Sequence, residues 1–391
     1  KPLDDITIIT LEHAIAAPLA TRHLADLGVR VIKIERPGTG DFARHYDTRA
    51  RGLCSHFVWT NRSKQSLTLD VKTPQGNEIL GRLMEQADVF VQNLAPGATD
   101  RLGLSAVELQ EKHDQLIVCD ISGYGPDGPF RDKKAYDLMI QAEAGLLSVT
   151  GNPGEPAKAG IAVADIAAGM YAYSSILAAL RLRDRTGKGS HIEVSMLEAL
   201  GEWMGFPLYY TLDQAEPPPR SGADHASIYP YGSFRTRDDE EVLLSVQNDT
   251  EWTVFCRDVI GRAGLVRDER FATNSLRNAH RHELREIIEG VFAGQSREEI
   301  VRRLDKAGIA NARVNAMSAV WEHPQLKARD RWRTIESPVG RIPAWLPPAN
   351  NNAFEHSLGA VPALGAHTGS ILTELEYSLE QVTRFQKAGV V

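Results

Sequence analysis

Between residues 6 and 122 the chain alternates short β-branched runs with amphipathic segments, and that alternation leaves few folds open to it. "ITIITLEH" is an apolar strand candidate, and "AAPLATRHLADLG" sets Leu19, Leu24 and Leu27 on a helix. Pro18 suits the first turn of that helix and Gly28 its end. "VRVIKIE" returns as a strand, "QGNEILGRLMEQA" is an amphipathic helix, and "DVFVQNL" and "LIVCDISGYG" are further buried strands. The pattern predicts βαβ units with right-handed crossovers around a mostly parallel sheet. In such sheets function gathers in the loops at the carboxyl ends of the strands.

Residues 160–189, "GIAVADIAAGMYAYSSILAALRLRDRTGKG", continue the scheme as a long helix. Ile166, Met170, Tyr173, Leu177 and Leu180 recur at three- and four-residue steps, one apolar face. Ala167, Ala168, Gly169 and Ala172 suit close packing, and Arg181, Arg183 and Arg185 lie where the helix dipole favours cations. Asp165 is a carboxylate among small and apolar residues where this helix should begin. It reads either as an N-cap, worth roughly 1 kcal/mol, or as a nucleophile. "HIEVSMLEALGEWMG" follows as a strand leading into a helix.

Around "LDQAEPPPRSGADHASIYPYG" the composition turns to Pro, Gly and polar residues, a linker or boundary. A hairpin, helices and a last strand then make a smaller α+β domain, and the tail "GSILTELEYSLEQVTRFQKAGV" is helical. The resulting division is residues 1–200 as a large domain, 201–224 as linker, 225–325 as the small domain and 326–391 returning to the large one. The fold class is α/β, a Rossmann-like large domain with a parallel sheet plus a smaller α+β domain.

A chain of 391 residues with 42% apolar and 24% charged residues can bury cores for two or three domains. Its net charge of −7 gives no basic surface for nucleic acid. Cys54, Cys119 and Cys256 are far apart, which suggests a reducing compartment and excludes CxxC chemistry. No run of roughly 18 apolar residues and no signal-peptide pattern is read, so a soluble cytoplasmic protein is expected, with no membrane partner. The first βα turn is "EHAIAAP" rather than GxGxxG, and no GxxxxGK[ST], HExxH or GxSxG occurs. His280 and His282, the nearest histidine pair, sit in a charged helix, and no metal site is expected.

What stands out is polar residues in loops beside strand ends. These are Arg36, Asp41 and Arg44; Arg62, Lys64 and Lys72; Asn93 and Arg101; and Lys133, Lys134, Tyr136 and Asp137. Each alone reads as a solvated loop residue. Four such loops at successive ends of one sheet would converge, and converging Arg and Lys suit a phosphorylated, nucleotide-like ligand.

"VIKIERPGTGD", "NRSKQSLTLDVKTPQG", "QNLAPGATDRLGL", "KKAYDLMIQAEAGLLSVTG", the Asp before a small-residue helix ending "RTGKG", and "LGAHTGSILTEL" occur in one order along nearly the whole chain. In that series the chain resembles the class III (CaiB/BaiF-type) CoA-transferases, whose fold the α-methylacyl-CoA racemases share. The resemblance implies two chains threaded as interlocked rings, with no tightly bound cofactor. Acyl-CoA and a small carboxylic acid are the implied substrates. It puts Asp165 at the catalytic aspartate. Arg36 falls where the family contacts CoA phosphates or adenosine, and Lys72, Asn93, Arg101 and Lys134 at other CoA-side positions. Ala14, Ile15 and Ala16 fall in the loop near the thioester.

Formyl-CoA transferase carries a glutamine where this chain has Ile15. Its glycine-rich loop over the site has no counterpart here, which argues against formate and oxalate. The racemases use a His-Asp pair in "GHD". Here the segment is Ala135-Tyr136-Asp137, and a tyrosine titrating near ~10 is a poor base at neutral pH. Racemisation is therefore the runner-up, and a non-catalytic CoA-binding protein the alternative of another class. For a dicarboxylate, "RHYDTRARG" offers Arg44, His45, Arg49 and Arg51, with Arg44, Arg49 and Tyr136 the candidate substrate contacts. Within the family the chain resembles bacterial members that pair succinyl-CoA with malate, citramalate, mesaconate or itaconate.

Overall fold

The computed structural model describes all residues, Lys1–Val391. Its first part runs β1 (Thr7–Leu11), α1 (Ala16–Asp26), β2 (Arg30–Glu35), α2 (Ser55–Asn61), β3 (Lys64–Thr68), α3 (Pro74–Met84), β4 (Val89–Gln92), α4 (Ala106–Lys112), β5 (Ile117–Ser122) and α5 (Asp137–Glu143). A single turn α6 (Leu146–Val149) and two-residue strands β6 (Gly151–Asn152) and β7 (Glu155–Pro156) follow. They lead to α7 (Val163–Thr186), β8 (His191–Ser195), α8 (Met196–Trp203) and α9 (Gly205–Tyr210). Local chemistry explains several boundaries. Thr73 caps α3 by accepting the Gly76 N–H, with Pro74 at the first helical position. Ser105 and Glu108 close a capping box on α4.

The sheet has the order β3-β2-β1-β4-β5-β8, with every pair parallel. From β1 the chain winds outward to β3, then crosses back and winds the other way from β4. The reversal lies between β1 and β4, where loops diverge and leave a crevice at the strands' carboxyl ends. One face of the sheet packs Ile8, Val31, Val89 and Ile117 against Ala20 and Leu24 of α1 and Ala168, Ala172 and Ile176 of α7. The opposite face packs Ile9, Ile32, Phe90 and Val118 against Leu80 and Leu83 of α3, with Ile371, Leu372 and Phe385 from the tail. The tail helices Thr368–Glu374 and Leu379–Lys387 thus cover the far side of the same sheet.

The chain forms two compact units, residues 1–146, 159–209 and 330–391 in the first and 147–158 and 210–329 in the second. Residues 147–158 therefore leave the span 1–200, and the Pro-rich stretch belongs to the second unit rather than standing between units. That unit holds an antiparallel sheet of order β11-β10-β9, built from β9 (Tyr231–Arg235), β10 (Glu241–Ser245) and β11 (Ala310–Arg313). Its helices include α10 (Asp249–Val254), α11 (Asn274–Ala279), α12 (Arg281–Phe292) and α13 (Arg297–Ala307). Leu284, Ile288 and Phe292, spaced by four along α12, close a core with Phe234, Leu244, Trp252 and Leu304.

α7 is, by length and composition, apolar enough to cross a membrane. Its small and apolar residues instead pack on α1, α5, α8, β5 and β8, as a core helix does.

Candidate active site

The first turn of α7 decides whether Asp165 caps the helix. The residue at the cap position is Ala162, which has no side chain to offer, and Asp165 is the third residue inside the helix. The N-cap reading of Asp165 is thus overturned, since Ala162 holds that position. The orphan N–H of Ala164 is satisfied from another element, by Asp137 Oδ1 at 2.8 Å from the start of α5. Asp137 Oδ2 also accepts from Gln141 Nε2 at 2.7 Å, which fixes that carboxylate's orientation.

Asp165 instead lies where the backbone N–H of Ala16, the first residue of α1, favours its charged form. Small residues make this contact possible. Ala164, Ala167, Ala168 and Ala172 are fully buried, and a Cβ on Gly169 would lie 2.7 Å from the Ala16 carbonyl oxygen. Only glycine lets α7 come that near to α1.

The loop that presents Ala16 is held from three sides. Asn93, just after β4, accepts the His13 N–H at 2.8 Å and donates to the His13 carbonyl at 2.9 Å. It thereby ties the loop after β1 to the loop after β4, across the point where the sheet's winding reverses. Asp41, after β2, accepts the Ala14 N–H at 3.2 Å. Ala14 itself has φ +60°, a left-handed conformation that alanine rarely takes and that surrounding bonds must hold. Beneath the loop lies a buried ionic cluster. Lys33 reaches Asp41 at 2.8 Å and Glu12 at 3.3 Å, and Lys64 reaches Glu12 at 2.6 Å, all with side chains wholly inaccessible or nearly so. Burial pushes the Glu12 carboxyl up, but Lys64 and Lys33 outweigh it and hold it at about 2. Two cations and two anions balance, so no charge is left unpaired.

Electrostatics set Asp165 apart from the other carboxylates. Burial, then the neighbouring charge of Asp137, push its pKa up to about 7 against the lowering effect of the Ala16 N–H. Tyr46 completes the surroundings. Its hydroxyl is pushed up to about 12 by burial and by Asp41, Asp165 and Tyr136, so it stays protonated as a hydrogen-bond donor. Its ring packs on Phe42, which in turn stacks on His13. Neither Tyr46 nor the charge of Asp137 on Asp165 was legible in the sequence. Ala164 and Asp137 are 27 residues apart, and no local motif joins them.

The residues expected to bind a ligand divide. Arg36, Lys72, Arg101 and Lys134 are exposed, each in the segment after β2, β3, β4 or β5, on the sheet's carboxyl side. Asn93 commits its amide to His13, as described. Ile15 is the buried residue before α1 and Ala16 its buried first residue. Arg62 and Lys64 are not ligand-facing. Arg62 makes two bonds to buried Asp26 at 2.9 and 2.7 Å, and Lys64 belongs to the ionic cluster. Arg44 is also withdrawn from the acyl pocket. Its guanidinium grips Glu35 with two bonds of 2.8 Å and lies 3.7 Å over the Phe57 ring. Arg49 and Tyr136 are exposed, Tyr136 directly before α5. Lys133 pairs with Glu143 and covers Tyr124 and Phe130.

The chemistry available is a carboxylate nucleophile at the positive end of α7, with a backbone N–H and a phenol nearby. The family model of CoA-transferase family III matches residues 3–368. The human protein named succinyl-CoA:glutarate CoA-transferase is 33% identical over all of this chain and 90% of its own length. The Agrobacterium fabrum succinate–glutarate CoA-transferase is 34% identical over 96% of both chains. A solved CaiB/BaiF family protein from Brucella suis superposes with TM-score 0.86 at 33% identity, covering 96% of this chain and 99% of its own.

Proposed function

The chain belongs to CoA-transferase family III, and on that premise we propose that it carries the acyl group on Asp165, with succinyl-CoA as donor and a C4 or C5 dicarboxylate as acceptor. It is a transferase enzyme, and the observation that carries the proposal is the Asp165 carboxylate, released from capping by Asp137 and facing the Ala16 N–H. An Asp165 oxygen attacks the thioester carbonyl carbon. The C–S bond breaks, leaving a mixed anhydride and CoA thiolate. The thiolate then attacks the Asp165 carbonyl carbon, and the donor acid leaves as its carboxylate. The acceptor carboxylate attacks the resulting aspartyl thioester and expels the thiolate once more. That thiolate finally takes the acceptor's acyl carbon and regenerates Asp165. No ATP is consumed, because each activated bond is made from another. A pKa near 7 makes Asp165 a more basic nucleophile than an ordinary carboxylate.

The exposed cations Arg36, Lys72, Arg101 and Lys134 suit the phosphates of CoA, and the relatives named for succinyl-CoA and glutarate support the acid pair. With Arg44 tied to Glu35, Arg49 is the basic side chain of that segment assigned to the distal carboxylate. Tyr136 in place of the racemase histidine supports transfer over racemisation.

Intact-protein mass spectrometry tests this reading. The enzyme is mixed separately with succinyl-CoA, acetyl-CoA and a branched acyl-CoA, beside Asp165→Asn. An acyl or CoA adduct on the parent chain alone, largest with succinyl-CoA, is expected. An equal adduct on Asp165→Asn, with deamidation excluded, overturns the mechanism. Solvent deuterium entering the α-carbon without a second acid would favour the racemase.

A further inference from the structure

A second cluster of reactive side chains lies between the loop after Tyr46 and the start of α2, and the reaction proposed above does not use it. Asp47, Cys54 and His56 bring a carboxylate oxygen, a thiol sulfur and an imidazole nitrogen within 4.8 Å of one another. Asp47 Oδ2 is 3.5 Å from Cys54 Sγ and 3.5 Å from His56 Nδ1. Bonds of about 2.3 Å to thiolate and about 2.0–2.1 Å to imidazole and carboxylate put the ligand atoms of a tetrahedral zinc about 3.3–3.6 Å apart. Both measured separations fall in that range, and the third edge, from the thiol to the imidazole, lies within 4.8 Å, so a small closing movement would complete a face of such a tetrahedron.

Local structure accounts for the grouping. Cys54 precedes α2 in an extended conformation, φ −72° and ψ 130°, while His56 is the second helical residue. The break in backbone direction lets two residues only two apart share one side. Asp47 is oriented by its neighbours, Oδ1 accepting the N–H groups of Arg49 and Ser55 at 2.9 and 3.0 Å, and Oδ2 the Ser55 hydroxyl at 2.6 Å. Those bonds suffice to close the loop onto α2, and they require neither a thiol nor an imidazole. Cys54 is nevertheless 2% exposed with its sulfur on Asp47, and His56 Nδ1 is buried with no hydrogen-bond partner. That nitrogen faces Asp47 Oδ2 at 3.5 Å, so thiol and imidazole converge on one carboxylate oxygen in an arrangement that a metal ion would complete.

We propose that Asp47, Cys54 and His56 bind one zinc ion, or a borderline-soft divalent cation like it, with the fourth position left to water. The donor set of one sulfur, one nitrogen and one oxygen selects against magnesium and calcium, which take oxygen ligands. Binding releases the Cys54 thiol proton to solvent as the Zn–S bond forms. The site adjoins the transferase site through Tyr46, whose ring meets the His56 ring edge-on at 5.6 Å.

Cobalt(II) serves as the spectroscopic probe on the full chain, with zinc as its competitor. The expected result is one equivalent bound per chain. It would show a thiolate-to-cobalt charge-transfer band and intense visible bands of a four-coordinate ion, both erased by one equivalent of zinc. Cys54→Ser should abolish the charge-transfer band. His56→Gln, at a half-exposed ring, should weaken zinc binding at least tenfold while circular dichroism stays unchanged. Absence of the charge-transfer band in the parent chain, or its persistence in Cys54→Ser, would overturn the site.

Discussion

Burial and the charge of Asp137 hold the proton of Asp165 up to about 7, and this gives a pH dependence with a definite sign. Turnover should rise with pH through about 7 as the carboxyl loses its proton. Asp137→Asn keeps an oxygen to accept the Ala164 N–H but removes the charge, so the acid limb should move to lower pH. An unmoved limb would mean that another group titrates. The same shift affects stability in the opposite direction. Because the folded pKa lies above the usual 3.8, the native state holds this proton more tightly than the unfolded chain, and stability falls as pH rises from about 4 to about 7. Asp165→Asn removes that loss. Thermal melts should therefore find the variant more stable at pH 7.5 by on the order of 1–3 kcal/mol, with the gain vanishing near pH 4.

At the scale of elements, the site depends on how closely α1 and α7 approach. Gly169→Ala puts a Cβ 2.7 Å from the Ala16 carbonyl, a backbone atom with little freedom to yield. Pushing the helices apart should cost about 1–3 kcal/mol and lower kcat more than it changes CoA binding, since Asp165 loses its anchor. Gly201, in α8, would meet nothing within 4 Å, so Gly201→Ala should stabilise by about 0.5–1 kcal/mol and leave turnover intact. Equal effects of the two substitutions would show that close packing at Gly169 does not position Asp165.

For the whole molecule, the apolar side chains left outside are the informative feature. Leu138 and Met139 of α5, Met170 of α7, Trp203 of α8 and Phe206 and Tyr209 of α9 are between 37% and 76% exposed. Large apolar groups on four elements of one unit are more than scattered surface residues, and a second copy of the chain is the partner the family resemblance implies. Light scattering of the purified protein should give twice the chain's 43.1 kDa. A mass of one chain at micromolar concentration would overturn the dimer that the resemblance implies.

The order of strands and helices was legible because period-two and period-3.6 patterns are properties of neighbouring residues. So was the return of the chain to a strand at His191 and a helix at Met196. The series of motifs was enough to point to the family, and Asp165 was readable as the one carboxylate at the head of a small-residue helix. Its role was not readable, since cap and nucleophile look alike until the far end of a hydrogen bond is known. Tertiary structure removed the cap reading, by bringing Asp137 across 27 residues to the Ala164 N–H and Ala16 across a longer span to face Asp165. The same limit governed the basic residues. Sequence counts charges, but only folding decides whether an arginine such as Arg44 meets Glu35 inside or, like Arg36, stays with the solvent.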